Sequence, residues 1–418
     1  MLNVFINAWK VKEIRKKLLY ILLMLAVYRL GSHIGLPGVN AAALVNATTD
    51  SGQNLFSLIT GGGFGTIFNM GIGPYITSSI IMQLLTVAIP PLERMQKEGE
   101  EGRKKINQYT RYLAIVLAFL QASGTVYSYR NVIFAHPNLF TYITAVIAMV
   151  TGTMFVMWIS ELLTEKGIGN GSSFIIFANI LSALPKGVAY LYNYAFFTNF
   201  PIGLLVVIII LVLFALIIAF VVLIQDGERR FPVQYSKKMV GRQMYGGQSS
   251  FIPIKVNIAG VMSIIFAMSL LQFPRQIASF FATPPEWLAK LVNYLEIHHP
   301  IGTALYVILI FCFTFFYTSF AINPTEMAEN MKKNGGFVPG IRPGKPTSDY
   351  IQRTVDRLSW IGAVFYAVLA MIPIVIQWIF KFQAFGGTTL LIVSGVALEL
   401  VKQLESQLLM RHHKGFLS

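Results

Sequence analysis

The chain has 418 residues, of which 55% are hydrophobic and 12% charged, with a mean hydropathy of +0.62; an ordinary soluble domain is about 25% charged. This excludes a soluble globular protein, and 32 phenylalanines exclude disorder, because so apolar a chain has ample surface to bury. Lysine and arginine total 33 against 18 acidic residues, a net charge of +15, but in a membrane protein the placement of charge says more than the sum.

Residues 1–17 place Val4, Phe5, Ala8, Trp9 and Val11 at helical spacing beside Lys10, Lys12, Arg15, Lys16 and Lys17, the pattern of an amphipathic helix lying at a membrane surface. A helix needs about 20 apolar residues to cross the hydrocarbon. Such runs lie near 18–36, 71–89, 112–130, 141–160, 172–190, 202–224, 256–274, 303–322, 358–379 and 387–404. The first is too long for the apolar core of a signal peptide and reads as a retained anchor. The fifth is broken by Pro185.

One apolar stretch is too short to span. Residues 55–70, LFSLITGGGFGTIFNM, would rise only about 24 Å as a helix at about 1.5 Å per residue. Backbone that does not span survives at membrane depth only where protein or a water cavity surrounds it, so this segment is expected to re-enter from the outer face. Two other segments, 225–255 and 323–357, carry six basic residues each and are too long to be simple turns. A short tail, 405–418, closes the chain.

Counted by side, 27 of the 33 cationic residues fall with the N-terminus, alternate loops and the C-terminus, and 5 fall on the other side, with Arg29 inside the first run. By the positive-inside rule both termini are expected in the cytoplasm. Ten spans divide into residues 18–190 and 202–404, with 191–201 as hinge; because five is odd, two similar halves would be inverted relative to each other. The sequence thus predicts an all-α polytopic membrane protein of ten transmembrane helices in two inverted five-helix halves.

Ion-coupled transporters need an ionisable group at membrane depth, yet Glu161, Asp226 and Glu399 all fall at cytoplasmic span ends. No GxxxxGK[ST] phosphate loop occurs; Gly340 to Lys345 is one residue short and is followed by Pro346. The single Cys312 allows no disulfide framework. His298-His299 and His412-His413 lack further ligands at helical spacing. The pattern is a conduit without an engine, its long basic loops facing a cytoplasmic partner. A small-solute secondary transporter is the alternative, suggested by the Gly/Pro-broken segment 61–74.

Several long motifs in order carry a resemblance over nearly the whole chain. They are Gly71-Ile72-Gly73-Pro74-Tyr75-Ile76 with Ser79 to Leu85; Lys97-Glu98-Gly99-Glu100 running to Gln108-Tyr109-Thr110-Arg111-Tyr112; Thr151-Gly152-Thr153-Met154-Phe155; Gly167-Ile168-Gly169-Asn170-Gly171; Asn323-Pro324; and Phe337 to Gly344. In these the chain resembles the SecY family, the central subunits of bacterial Sec protein translocases. The resemblance implies two halves hinged around an hourglass pore that passes unfolded preproteins and releases membrane segments sideways into lipid, with no catalytic residue, metal or cofactor.

It further implies a plug containing Leu58, Ile59, Gly61, Gly62, Gly63, Phe64, Gly65, Ile67 and Phe68, and a pore ring of Ile72, Ile76, Ser172, Ile176, Ile265 and Ile392. Ser172 departs from the usually apolar pattern. Branched apolar side chains seal by dewetting and yield to any polypeptide. A lateral gate between spans two and three and spans seven and eight would carry Gln83, Gln121 and Asn257. Arg229, Arg230, Lys237, Lys238, Arg242 and Arg342 would dock a SecA motor ATPase or the ribosome. SecE and SecG as small membrane subunits, preprotein substrates and membrane lipids complete the implied partners, and the bacterial cytoplasmic membrane is the implied location.

Overall fold

The computed structural model describes residues 2–38, 65–128, 138–193, 195–196, 200–235, 238–240, 243–245, 249–256, 258–278, 281, 284–297, 299–380 and 387–414. Leu58 to Phe64, Lys237, Arg242 and Asn257 lie outside them, as does the side chain of Lys238. In chain order the helices are α1 (Leu2–Lys10), α2 (Lys12–Gly31), α3 (Gly73–Ala88), α4 (Pro90–Lys97), α5 (Glu100–Ser128), α6 (Leu139–Lys166), α7 (Gly171–Asn193) and α8 (Ile202–Asp226). Strands β1 (Glu228–Tyr235), β2 (Lys238–Val240), β3 (Gln243–Tyr245) and β4 (Ser249–Lys255) follow. Then come α9 (Met262–Ala278), α10 (Glu286–Leu295), α11 (Pro300–Ala321), α12 (Pro324–Lys333), β5 (Gly336–Phe337), α13 (Lys345–Phe380) and α14 (Gly387–Lys414).

A helix coincides with each of the ten apolar runs, although several reach beyond the hydrophobic stretch. Helix α5 begins at Glu100 and α13 at Lys345, because amphipathic turns continue the helix outside the apolar window. Among the described residues, four helical stretches are individually long and apolar enough to cross a membrane: Leu139–Lys166, Gly203–Asp226, Pro300–Lys333 and Lys345–Ile372. The pair Gly73–Ala88 and Pro90–Lys97, bent by 100°, makes a fifth if the two are counted as one span. The bend has a local cause: Ile89 is extended at φ −110°, ψ 109°, as a residue before proline prefers, and Pro90 then starts α4 at the position where its missing N–H costs nothing.

The chain forms two compact units, Met1–Val207 with Met268–Glu296 and Ala384–Ser418, and Ile208–Ala267 with Ile297–Gln383. In the first, α5 packs on α3 and α6, and α7 on α6 and α14. Ala114, Ala118, Ala122 and Val126, spaced four apart along α5, are all buried; small residues in a stripe let helix backbones approach. Ala122 and Val126 meet Ala145, Val146 and Met149 of α6 and Leu36 in one cluster. The reversal between α6 and α7 turns on Gly169 at φ +86°, and Asn170 Oδ1 accepts from the Ser172 N–H at 3.0 Å to cap α7.

In the second unit α11 packs along α13, with Phe311 and Phe315 edge-on to Trp360. The segments read as two separate long loops are here one folded body. Strand β1 pairs antiparallel with β4 from Glu228↔Lys255 to Gln234↔Ser249, and also with β5 through Gln234↔Phe337 and Tyr235↔Gly336. Beneath this sheet, in order β4-β1-β5, Phe231, Val233 and Ile254 pack on Met331, Val338, Ile351, Val355 and Leu358. The all-α prediction therefore needs one addition, a small sheet stitched from both basic segments.

Candidate functional site

The chain following the described N-terminal helices meets the Gly-rich segment directly. The Leu36 N–H donates to the Gly65 carbonyl at 2.8 Å, and the Ile67 N–H donates to the Ile34 carbonyl at 3.0 Å. Phe68, 4% exposed, stacks between Tyr28 and Phe155, with ring centroids 5.7 and 6.0 Å away. Two glycines make this fit possible: a Cβ on Gly31 would overlap the Phe68 ring, and one on Gly152 would overlap the Ile67 carbonyl. Of the expected plug, Gly65, Ile67 and Phe68 are thus an anchored end; its other expected members lie outside the described residues.

A run of turns leads from this anchor to Ile72, which precedes α3 and is wholly buried. Ile76 lies one turn on, its N–H donating to the Ile72 carbonyl at 3.1 Å, and is half-buried. Ser172 and Ile176 are likewise one turn apart on α7. The Ser172 hydroxyl donates to Asn170 Oδ1 at 2.6 Å, so its polarity is spent on the helix cap, while Ile176 is buried. Ile392 on α14 and Ile265 on α9 are buried within their own units.

The expected gate glutamines sit differently. Gln121 Nε2 on α5 donates to Gln276 Oε1 on α9 at 2.9 Å, which links the third expected span to the seventh. Gln276 escaped the sequence reading; its signal is a glutamine next to Arg275 just past the end of an apolar run. Gln83 on α3 is half-buried, and its Oε1 has no partner among the described residues. Where the apolar runs of α5 and α6 give way to charged residues, Arg111 pairs with Glu161, and the buried Ser78 hydroxyl donates to the Thr110 carbonyl. The QYTRY motif thus joins three helices.

The basic residues decorate the sheet. Arg229 and Arg230 are exposed on β1, where inward Phe231 and Val233 alternate with outward neighbours. Arg230 pairs with Glu228 at 2.7 Å and lies 4.7 Å from the Phe251 ring centre, which holds the guanidinium flat on the strand surface. Arg342 projects from the loop between β5 and α13 and is exposed. That loop is fixed from below: the buried Thr347 hydroxyl donates to the Arg342 carbonyl at 2.8 Å, and Val338 and Ile341 join the apolar cluster on either side. Arg229, Arg230 and Arg342 therefore rise from one folded platform, and a charged surface of this kind suits an acidic partner.

The family model described as SecY matches residues 66–401. A protein translocase subunit SecY of Streptomyces galbus is 42% identical over 447 aligned residues, covering 100% of both chains. That of Halalkalibacterium halodurans is 43% identical over 436, again covering 100% of both. A solved structure described as that of a protein conducting channel superposes with a TM-score of 0.70 at 19% identity, over 93% of this chain and 91% of the other. Sec61 in the canine ribosome-channel complex from the endoplasmic reticulum gives 0.67 at 18%, with the same coverage. At these identities the two structures speak for the fold, which is that of an all-α polytopic membrane protein.

Proposed function

The chain belongs to the SecY family, and from that premise we propose how this protein-conducting channel of the Sec translocase works. The observation that carries the function is the end-to-end identity of 42 to 43% with translocase subunits of two bacteria. It displaces the small-solute reading.

In the proposal, Ile72, Ile76, Ser172, Ile176, Ile265 and Ile392 form the waist of the pore, and the segment from Leu58 to Phe68 closes it from outside. A waist lined by branched apolar groups excludes ions because water is unstable there, yet makes no specific contact that would select one polypeptide. The halves 18–190 and 202–404 move about 191–201, and the seam containing Gln83, Gln121 and Asn257 opens to lipid. The Gln121–Gln276 bond supports this, since it joins α5 to α9 through uncharged groups.

Energy comes from outside the chain, from a SecA-type ATPase or a translating ribosome docked on Arg229, Arg230, Lys237, Lys238, Arg242 and Arg342. The platform shared by both basic segments supports this. Small SecE and SecG subunits complete the complex in the bacterial cytoplasmic membrane, with both termini inside; the 27 to 5 distribution of cationic residues supports that orientation. The test is photo-crosslinking from Ile76 and Gln83 in reconstituted complexes. Capture of a preprotein during ATP-driven translocation is expected; a complex whose motor turns over with no preprotein captured at either position overturns the proposal.

A further inference from the structure

Tyr28 is fully buried near the end of α2 and has two neighbours of consequence. Its ring lies parallel to Phe68, at an interplanar angle of 3°. Its hydroxyl donates to Asn179 Oδ1 at 2.8 Å, linking residues 151 apart in sequence. Asn179 is itself buried, and its amide nitrogen has no partner among the described residues.

Each neighbour leads to the waist. From Phe68 the path is a continuous series of turns: the Gly71 N–H donates to the Phe68 carbonyl at 2.8 Å, the Gly73 N–H to Met70 at 3.2 Å, and the Ile76 N–H to Ile72 at 3.1 Å. Asn179 lies three residues after Ile176 on α7, on the same helical face. One side chain on α2 therefore holds the approach to Ile72 with its ring and the turn beside Ile176 with its hydroxyl. Helix α2 is a firm reference, because Gly31 backs directly onto the Phe68 ring and Ile34 and Leu36 bond the same segment through their backbones.

Resting on the channel reading above, we propose that Tyr28 is a positioning residue of the pore waist: it keeps Ile72 and Ile176 in register while the channel is closed. The ring contact holds the approach to Ile72 and the hydroxyl bond holds α7, so the two together tie both positions to α2. When the plug leaves, the stack on Phe68 loosens and the hydroxyl bond is free to break, so the two ring positions separate together.

The test uses the complete translocase in planar bilayers and proteoliposomes, comparing wild type with Tyr28→Phe, Asn179→Leu and the double variant. Tyr28→Phe keeps the ring and removes only the hydroxyl. Resting ion conductance is expected to rise about threefold, the ratio given by the roughly 0.6 kcal/mol that a side-chain hydrogen bond averages within a membrane. Translocation of a preprotein with a weakened signal should rise by a similar factor, a gain that a merely damaged fold cannot produce. Asn179→Leu should match it, and the double variant should not exceed either single one, because both remove the same bond.

Wild-type values in both single variants overturn the inference, as do effects that multiply in the double variant. A wild-type complex that passes no preprotein would instead sink the channel reading itself. Should either variant assemble poorly, the other still decides the outcome.

Discussion

Phe231 is the test of the platform built from the two basic segments. It lies on the central strand of the sheet, 4% exposed, with its ring edge-on to Tyr350 at 5.7 Å, and it belongs to the cluster that draws on both basic segments. Replacing a buried Phe by Ala costs about 3–5 kcal/mol, with roughly 0.5–1.5 kcal/mol of that class of contact due to the aromatic pair. Taking the lower end, 3 kcal/mol multiplies the population of the locally opened platform by about 150. Hydrogen exchange on the assembled complex reads this directly: amides of Glu228–Tyr235, Ser249–Lys255 and Gly336–Phe337 should accelerate together by about that factor, or to full exposure if the platform opens more easily from the outset. Amides of α5 and α6 should not change, since they belong to the other unit. Motor-driven translocation should fall although no charge has been altered. Exchange within threefold of wild type would refute the packing argument, and acceleration confined to β1 and β4 would refute the coupling of the two segments through β5.

Four further perturbations probe the platform, the plug anchor and the Gln121–Gln276 contact. Arg342→Glu should weaken motor binding and export while leaving membrane assembly intact; Thr347→Val, which removes the bond to the Arg342 carbonyl, should lower affinity by up to about tenfold, since such a bond nets roughly 0.5–1.5 kcal/mol. Equal affinity in Arg342→Glu and wild type would remove this loop from the docking surface. Deleting residues 58–64 should raise resting ion conductance, and extending the deletion through Phe68 should raise it further because the anchor on Tyr28 and Phe155 is then lost as well; identical leaks would show that the anchored end plays no part in the seal. Gln121→Ala should ease lateral release of a marginally hydrophobic segment by about threefold, measured as crosslinking of that segment to lipid, and unchanged release would count against Gln121–Gln276 as a seam contact.

Helices were legible wherever a run of apolar side chains had nowhere to go but lipid, and that signal depends only on composition in a window. The sheet was not read, even though Phe231, Val233 and Ile254 alternate with exposed neighbours in the period of a half-buried strand. Arg229 and Arg230 directly before Phe231, and Pro232 directly after it, made the segment look like a solvated loop, and β5 is only two residues long, too short for any pattern. The Phe68 slot was hidden for another reason. Its fit depends on Gly31 and Gly152, which lie 37 and 84 residues away in sequence, and nothing local announces that a missing Cβ will receive a distant ring. Gln276 likewise acquires meaning only from Gln121, 155 residues earlier.

Contact strengths differ between the proposed lateral seam and the proposed docking platform. The link from α5 to α9 at Gln121–Gln276 is a neutral hydrogen bond, on average about 0.6 kcal/mol within a membrane. At about 25 cal/mol per Å² of apolar surface removed from water, burying roughly 25 Å² offsets it, a small part of one leucine side chain. In the proposed gate, any sufficiently hydrophobic segment would therefore pry such a seam apart, with no need for a particular sequence, and the seam would reclose once the segment had left. The platform under Arg229, Arg230 and Arg342 rests instead on a cluster whose single phenylalanine is worth about 3–5 kcal/mol. In the proposed docking arrangement, a partner pushing on those arginines would bear on a body held by contacts several times stronger than that seam bond, so its work would reach the polypeptide rather than dissipate in the docking surface.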